Sequence, residues 1–366
     1  MKKLTVLLAV LCVLLCGCES WMDGQYYNEV PHTRQDNQLQ QAVVKVSVYS
    51  QLQRALSDTV DGGGESLRLS VEGYDPAVLE EDLEKAAMYI QSRHAIGVYA
   101  VSDITWELGT GGGLQMVAVT VTYNQNYSML RSIRQVQTMQ EAMELITAAL
   151  EQCDAGIVVK IENFAVTDFA QVIQDYADQY PELVMEMPQV KVTMYPENGV
   201  TRVLELQFTY QNSRDDLRAM KRYVQPVFSA ARIYVSGVQE DSIKYSQMYA
   251  FLMERYDYSY DSSITPAYSL LRYGVGDSKA FAVVFDAMCR QSELECMVVV
   301  GTRDGESRYW NIICQDGVYY HVDLLRCGEA GKLLLLSDEE MQGYVWDYLA
   351  YPACGVKEEP QMMATE

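Results

Sequence analysis

Residues 273–323 read YGVGDSKAFAVVFDAMCRQSELECMVVVGTRDGESRYWNIICQDGVYYHVD, and the order of elements in this stretch decides the fold. Asp277 and Ser278 stand directly ahead of Lys279 to Cys289, a run that places Phe281, Ala282 and Phe285 on one side at helical spacing. An oxygen-bearing side chain at that point accepts from the exposed amides of a first helical turn, so Ser278 is expected to cap the helix. A Leu-Glu-Cys turn follows, then a strand ending Val-Val-Val-Gly301, a Trp310-Asn311 pair, and a strand at Tyr320 to Asp323. Side chains alternate along a strand, so His321 and Asp323 are expected to share a face.

A helix succeeded by strands with these pairs at these spacings resembles the core of a transglutaminase-like domain, a papain-related fold in which a cysteine opens the helix and a histidine and an aspartate follow on neighbouring strands. Counting back from Ala282 and Phe285, the resemblance puts the family's cysteine at Ser278. Counting back from Trp310-Asn311, it puts the histidine at Arg308, and Asp323 keeps the aspartate. The chemistry is specific about residue type, because a thiolate is the nucleophile and a helix N-terminus with an imidazolium lowers its pKa. A serine needs a neighbouring base, and a guanidinium stays protonated. The resemblance therefore implies a scaffold whose catalytic triad is degenerate, with Arg308 paired to Asp323 where an imidazole would sit. Trp310, Asn311 and His321 complete the candidate binding residues, and for Trp310 and Asn311 core filling is the competing role.

Two readings of function follow. The first is a non-catalytic protein that uses the old substrate cleft to bind a peptide or protein. The second is an active acyl-transfer enzyme, a peptidase or transglutaminase-type amidotransferase, with Ser278 as nucleophile and His321 as the only imidazole nearby. A residue two along the strand from Asp323 points beside it rather than between it and Ser278, which weighs against the second.

Working outward, the resemblance runs from Asp241 to Cys354, within a C-terminal domain expected over 237–366. Ahead of it the chain repeats a strand, helix, strand, strand order. One copy runs through Leu67 to Glu72, Pro76 to Arg93, Gly97 to Leu108 and Leu114 to Tyr123. The other runs through Ile157 to Glu162, Thr167 to Tyr180, Gln189 to Tyr195 and Val200 to Tyr210. The expected class is α+β, with small repeated modules at 64–154 and 155–236. Thr138 and Glu141 form a capping box ahead of a helix. Gly62-Gly63-Gly64 marks the end of a polar linker over 18–63.

The first residues are a charged start, an apolar run from Leu4 to Leu15, and Leu15-Cys16-Gly17-Cys18. The run is too short to span a bilayer as a stable helix. The order resembles a bacterial lipoprotein signal at 1–17, which implies acylation of Cys18 and a protein held on the outer face of the cell membrane. The remaining cysteines include Cys327 and Cys354 in turn-like sequence, the best candidates for a disulfide.

With 366 residues, 49% hydrophobic and 21% charged, the composition is that of a globular chain. A net charge of −22 repels phosphate backbones, so nucleic acid is not an expected partner. Three histidines and no zinc-finger spacing leave little material for a metal site, and no cofactor motif is present.

Overall fold

Alternation of apolar side chains builds the strands and 3.6-residue periodicity builds the helices, and together they arrange the N-terminal half as the same sheet made twice. The structure, a computed structural model, describes residues 43–111 and 114–356. The leader, Cys18 and the linker as far as residue 42 lie outside the described residues. Contacts divide the described chain into two units, one of 43–86 with 104–121 and one of 87–103 with 122–356.

The first sheet uses β1 (Val44–Lys45), β2 (Ser66–Ser70), β3 (Val101–Gly111) and β4 (Leu114–Tyr123) in the order β1-β2-β4-β3. Helices α1 (Tyr49–Asp61), α2 (Leu79–Ser92) and α3 (Ala95–Ala100) lie between its strands in the chain. After α4 (Tyr127–Ser132), the second sheet uses β5 (Arg134–Val136), β6 (Gly156–Ile161), β7 (Gln189–Tyr195) and β8 (Arg202–Thr209) in the order β5-β6-β8-β7. Its intervening helices are α5 (Met139–Glu151) and α6 (Phe169–Gln179). In both sheets the first strand pairs parallel to the second and the second pairs antiparallel to the fourth.

The repeat is therefore a strand and a helix longer than the sequence suggests. Gly62 to Gly64 is the turn between α1 and β2 rather than the end of a linker. Helix α5, whose Thr138–Glu141 capping box is formed, stands in the second module where α1 stands in the first. The parallel edge strands are two and three residues long, too short to leave a periodic signal. Gly97 to Ala100, expected as strand, is helix: the Gly97 N–H donates to His94 Nδ1, and a Cβ on Gly97 would lie 2.1 Å from the Ile90 carbonyl oxygen.

The C-terminal part contains α7 (Arg214–Tyr234), α8 (Asp241–Arg255), β9 (Asp257–Tyr258), α9 (Pro266–Tyr273), β10 (Val275–Gly276) and α10 (Ser278–Gln291). The strands β11 (Cys296–Arg303), β12 (Glu306–Gln315) and β13 (Val318–Val322), the helix α11 (Leu324–Ala330) and the strand β14 (Tyr344–Trp346) follow. The sheet is antiparallel in the order β13-β12-β11-β14. Helix α10 is buried at nearly every position to Cys289, so it is a central helix rather than an amphipathic surface one. One sheet face meets it through Ile313 and Val322, and Val224, Phe228, Tyr245, Met248 and Leu270 close the same core. The other face forms a separate core of Val299, Trp310, Ile312, Leu336, Met341, Tyr344, Trp346 and Cys354. Fully burying a large apolar side chain contributes about 1.5–3 kcal/mol, so these two layers dominate the stability of the region.

All six cysteines among the described residues are free thiols, so the expected Cys327–Cys354 bridge is not formed. Cys327 belongs to the helix-side core and Cys354 to the core on the opposite sheet face, and the sheet lies between them. Burial pushes their thiols up, to about 11 and about 12. Among the described residues no helix is long and apolar enough to cross a membrane.

Candidate functional site

The N-terminus of α10 is set by a tight turn, because a Cβ on Gly276 would stand 2.7 Å from that of Ala280. Asp277, not Ser278, is the cap: its Oδ1 accepts from the Ala280 N–H at 2.9 Å. An aspartate accepts as well as a serine there, and its position one residue earlier moves Ser278 into the first turn. The Ser278 hydroxyl instead accepts from the Tyr309 main-chain N–H at 3.2 Å, and the residue is 8% exposed. This bond brings the helix start against β12 at the residue following Arg308.

Arg308 turns to Asp323. Its Nε donates to Oδ2 and its Nη2 to Oδ1, both at 2.9 Å, in a fork-to-fork pair. Asp323 is also the N-cap of α11, with Oδ1 accepting from the Leu325 and Arg326 N–H groups, and Tyr344 donates to Oδ2 at 2.7 Å. Every lone-pair direction of this buried carboxylate is in use. Burial works against the charge on Arg308, and Asp323 beside it more than offsets that. Burial first, and then the same carboxylate, raise the Tyr344 pKa, so that hydroxyl remains a neutral donor.

His321 is committed to other partners. Its ring, fully buried, lies with Trp310 and Trp346 in the core on the face away from α10. Trp310 Nε1–H donates to Nδ1 at 3.0 Å, which leaves the proton of the neutral ring on Nε2, 2.9 Å from Asp338 Oδ1. Burial lowers the His321 pKa despite Asp338 and keeps the ring neutral. Asp323 keeps to that side although β13 ends at Val322 and it caps α11: Tyr344, whose ring packs on Trp310, donates to its Oδ2. His321 and Asp323 thus share a side as expected, but Trp310 and Asp338 take up both ring nitrogens of His321, so it is not placed as a base for Ser278.

Trp310 and Asn311 serve the fold. Trp310 is 1% exposed among Tyr344 and Trp346, and Asn311, fully buried, donates from Nδ2 to the Ala282 carbonyl at 3.0 Å. The three candidate binding residues Trp310, Asn311 and His321 therefore do not line the open surface beside Ser278.

That surface is a cleft of about 1260 Å³. Its walls are the end of α8 with β9, the start of α10, the β11–β12 turn and α11, and Ser278 and Arg308 both line it. Tyr256, Tyr258 and Tyr260 face it from one side and Tyr309 from another. The sequence alone gives no role to Tyr344 or Asp338, which no periodicity links to this site.

Among the described residues, His321, Asp338 and Cys354 each offer a donor atom within 4.8 Å of the others. The set does not fit a metal ion. Trp310 occupies Nδ1, so Nε2 would have to give up its proton and its bond to Asp338 and leave an imidazolate.

The sequence matches the transglutaminase-like superfamily over residues 229–327. No curated protein matches the chain. Among solved structures, a candidate cysteine protease from Cytophaga hutchinsonii is similar at 13% identity and a TM-score of 0.26, covering 43% of this chain and 70% of its own. A TGase is similar at 7% identity and 0.25, covering 59% of this chain and 63% of its own. A candidate protease from Parabacteroides distasonis is similar at 8% identity and 0.23, covering 70% of this chain and 40% of its own. The protein is an α+β chain that carries a transglutaminase-like domain in its C-terminal half.

Proposed function

We propose that this transglutaminase-like domain has lost its acyl-transfer chemistry and holds a peptide or protein segment in the cleft beside Ser278. In this reading the chain is a lipoprotein on the outer face of the cell membrane, anchored through acylated Cys18. The observation that carries the reading is the Arg308–Asp323 pair beside a serine whose hydroxyl is held by the Tyr309 N–H. A nucleophilic serine needs a base within hydrogen-bond reach, and the residue in the base's place is a guanidinium, which cannot accept a proton. The open cleft persists without the chemistry, as a binding site would.

The test is an acyl-transfer and peptide-hydrolysis screen of the native protein beside Ser278→Ala. The expected outcome is no turnover by either, and turnover by the native chain that disappears in Ser278→Ala would overturn the reading. The anchor is tested separately: labelled palmitate enters the native chain and not Cys18→Ala, and incorporation that survives the substitution would remove Cys18 from the account. Two acyl chains anchor stably where one does not, so Cys18→Ala also releases the protein from membranes.

A further inference from the structure

We infer that the segment held in the cleft is a cationic peptide, one that presents lysine or arginine side chains to the tyrosine wall; this rests on the peptide-holding reading above. The cleft and its exposed rings make the site, and the state of its charges selects the ligand. Every cation on its described walls is already engaged. Arg308 is committed to Asp323. Lys279 Nζ lies 2.7 Å from Asp178 Oδ1 and over the Tyr309 ring. Arg303 sits over the Tyr344 ring, 3.9 Å from Asp304.

The carboxylates are in the opposite condition. Glu254, Asp257, Glu306 and Glu329 line the cleft, are exposed, and have no side-chain partner among the described residues. They come from four different elements around the opening: the end of α8, β9, β12 and α11. Between them stand Tyr258 and Tyr260, edge to face at 5.0 Å and 37% and 83% exposed. An aromatic face attracts an ammonium or guanidinium, and carboxylates on either side pair with it. An anionic segment would meet unpaired carboxylates and no free cation on these walls. The net charge of −22 acts in the same sense at longer range, drawing cations toward the surface.

The experiment is a fluorescence-anisotropy titration of the full chain in detergent with labelled peptides of about nine residues. One alternates lysine and arginine with serine, one replaces the basic residues with glutamine, and one with glutamate. The cationic peptide is expected to bind at least about tenfold more tightly than the neutral one. Its affinity is expected to fall as salt rises through the range where the screening length becomes shorter than about 10 Å. Asp257→Asn, Glu306→Gln and Glu329→Gln together are expected to weaken it about tenfold. The control triple Asp58→Asn, Glu80→Gln and Glu84→Gln, exposed acids far along the chain from the cleft, is expected to leave it unchanged. Spermidine, a cation without a peptide backbone, is expected to compete weakly.

Failure of all three peptides to bind would overturn the peptide-holding reading and this inference with it. Equal or tighter binding of the neutral or acidic peptide would overturn the cationic inference and leave that reading standing. Equal loss in both triple variants would also overturn it, because net charge and not the cleft would then select the ligand. Competition by spermidine as strong as by the unlabelled cationic peptide would overturn the assignment to a peptide.

Discussion

Arg308 and Asp323 meet through two hydrogen bonds of 2.9 Å in the corner that Ser278 and Tyr309 close from the other side. The pair puts a fixed positive charge beside the helix start and takes up the carboxylate that would otherwise orient a base. Removing one partner of a buried ion pair leaves the other uncompensated, at a cost of about 3–5 kcal/mol. Asp323 keeps two main-chain donors and Tyr344, so Arg308→Met is expected near the lower end, about 3 kcal/mol. Arg308→Met with Asp323→Asn is expected to cost less than the two single changes together, as measured by urea unfolding. Strict additivity would show that the two do not interact.

A second acid titrates inside the protein. Asp286, 4% exposed on α10, accepts from Arg290 Nη1 at 2.8 Å, and Arg290 also reaches Glu182 at 3.1 Å. Burial raises Asp286 from 3.8 to about 6 against the pull of Arg290, with Cys296 and Glu182 the other groups that face it. The folded state therefore holds this proton more tightly than the unfolded chain. The stability it contributes is complete below about pH 4 and lost as the pH rises through about 6. The difference amounts to about 3 kcal/mol at most. Asp286→Asn is expected to gain stability relative to the native chain between pH 4 and pH 7, read from urea midpoints at both. His321 works in the other direction, losing stability as the pH falls through its unfolded value of about 6.5, and that limb is expected to be unchanged in Asp286→Asn. A flat difference between the two proteins would contradict the assignment.

The close approach of β14 to β11 rests on Gly301. A Cβ there would lie 2.3 Å from the Val345 carbonyl oxygen and 2.7 Å from the Trp310 ring. Neither backbone nor a packed indole yields easily, so Gly301→Ala is expected to cost about 1–3 kcal/mol and to shift Trp310 fluorescence. Gly305, at φ +85° with nothing within 4 Å of its Cβ position, is the contrast. Gly305→Ala carries strain alone and is expected to cost about 1 kcal/mol with no change in emission. Equal fluorescence shifts in the two variants would contradict the account.

The legible part of this chain is the part where pattern and chemistry coincide. Phe281, Ala282 and Phe285 announce α10, the β11 to β13 run announces the sheet, and Arg308 and Asp323 are expected as partners because a fork-shaped cation suits a carboxylate. What the sequence does not convey is which partners a residue takes. His321 reads as the one imidazole near Ser278, yet Trp310 and Asp338 hold both of its ring nitrogens. Asp277 and Ser278 are both competent caps, and only the turn at Gly276 decides between them. Cys327 and Cys354 both look free to pair, and only the sheet between them forbids it. The N-terminal repeat is legible as four elements of six, because β1 and β5 are too short to alternate and α1 and α5 carry no mark of the sheet they serve.

If the cleft keeps its geometry and lacks only its reacting groups, putting those groups back restores turnover. The most direct measurement is turnover by Ser278→Cys with Arg308→His, run beside the native chain and each single variant. A cysteine at the start of α10 with an imidazole held by Asp323 restores a thiolate and a base at the positions the family resemblance assigns. Acyl transfer or hydrolysis is expected of the double variant alone. Turnover by the native chain, or a folded double variant as silent as the singles, would contradict it.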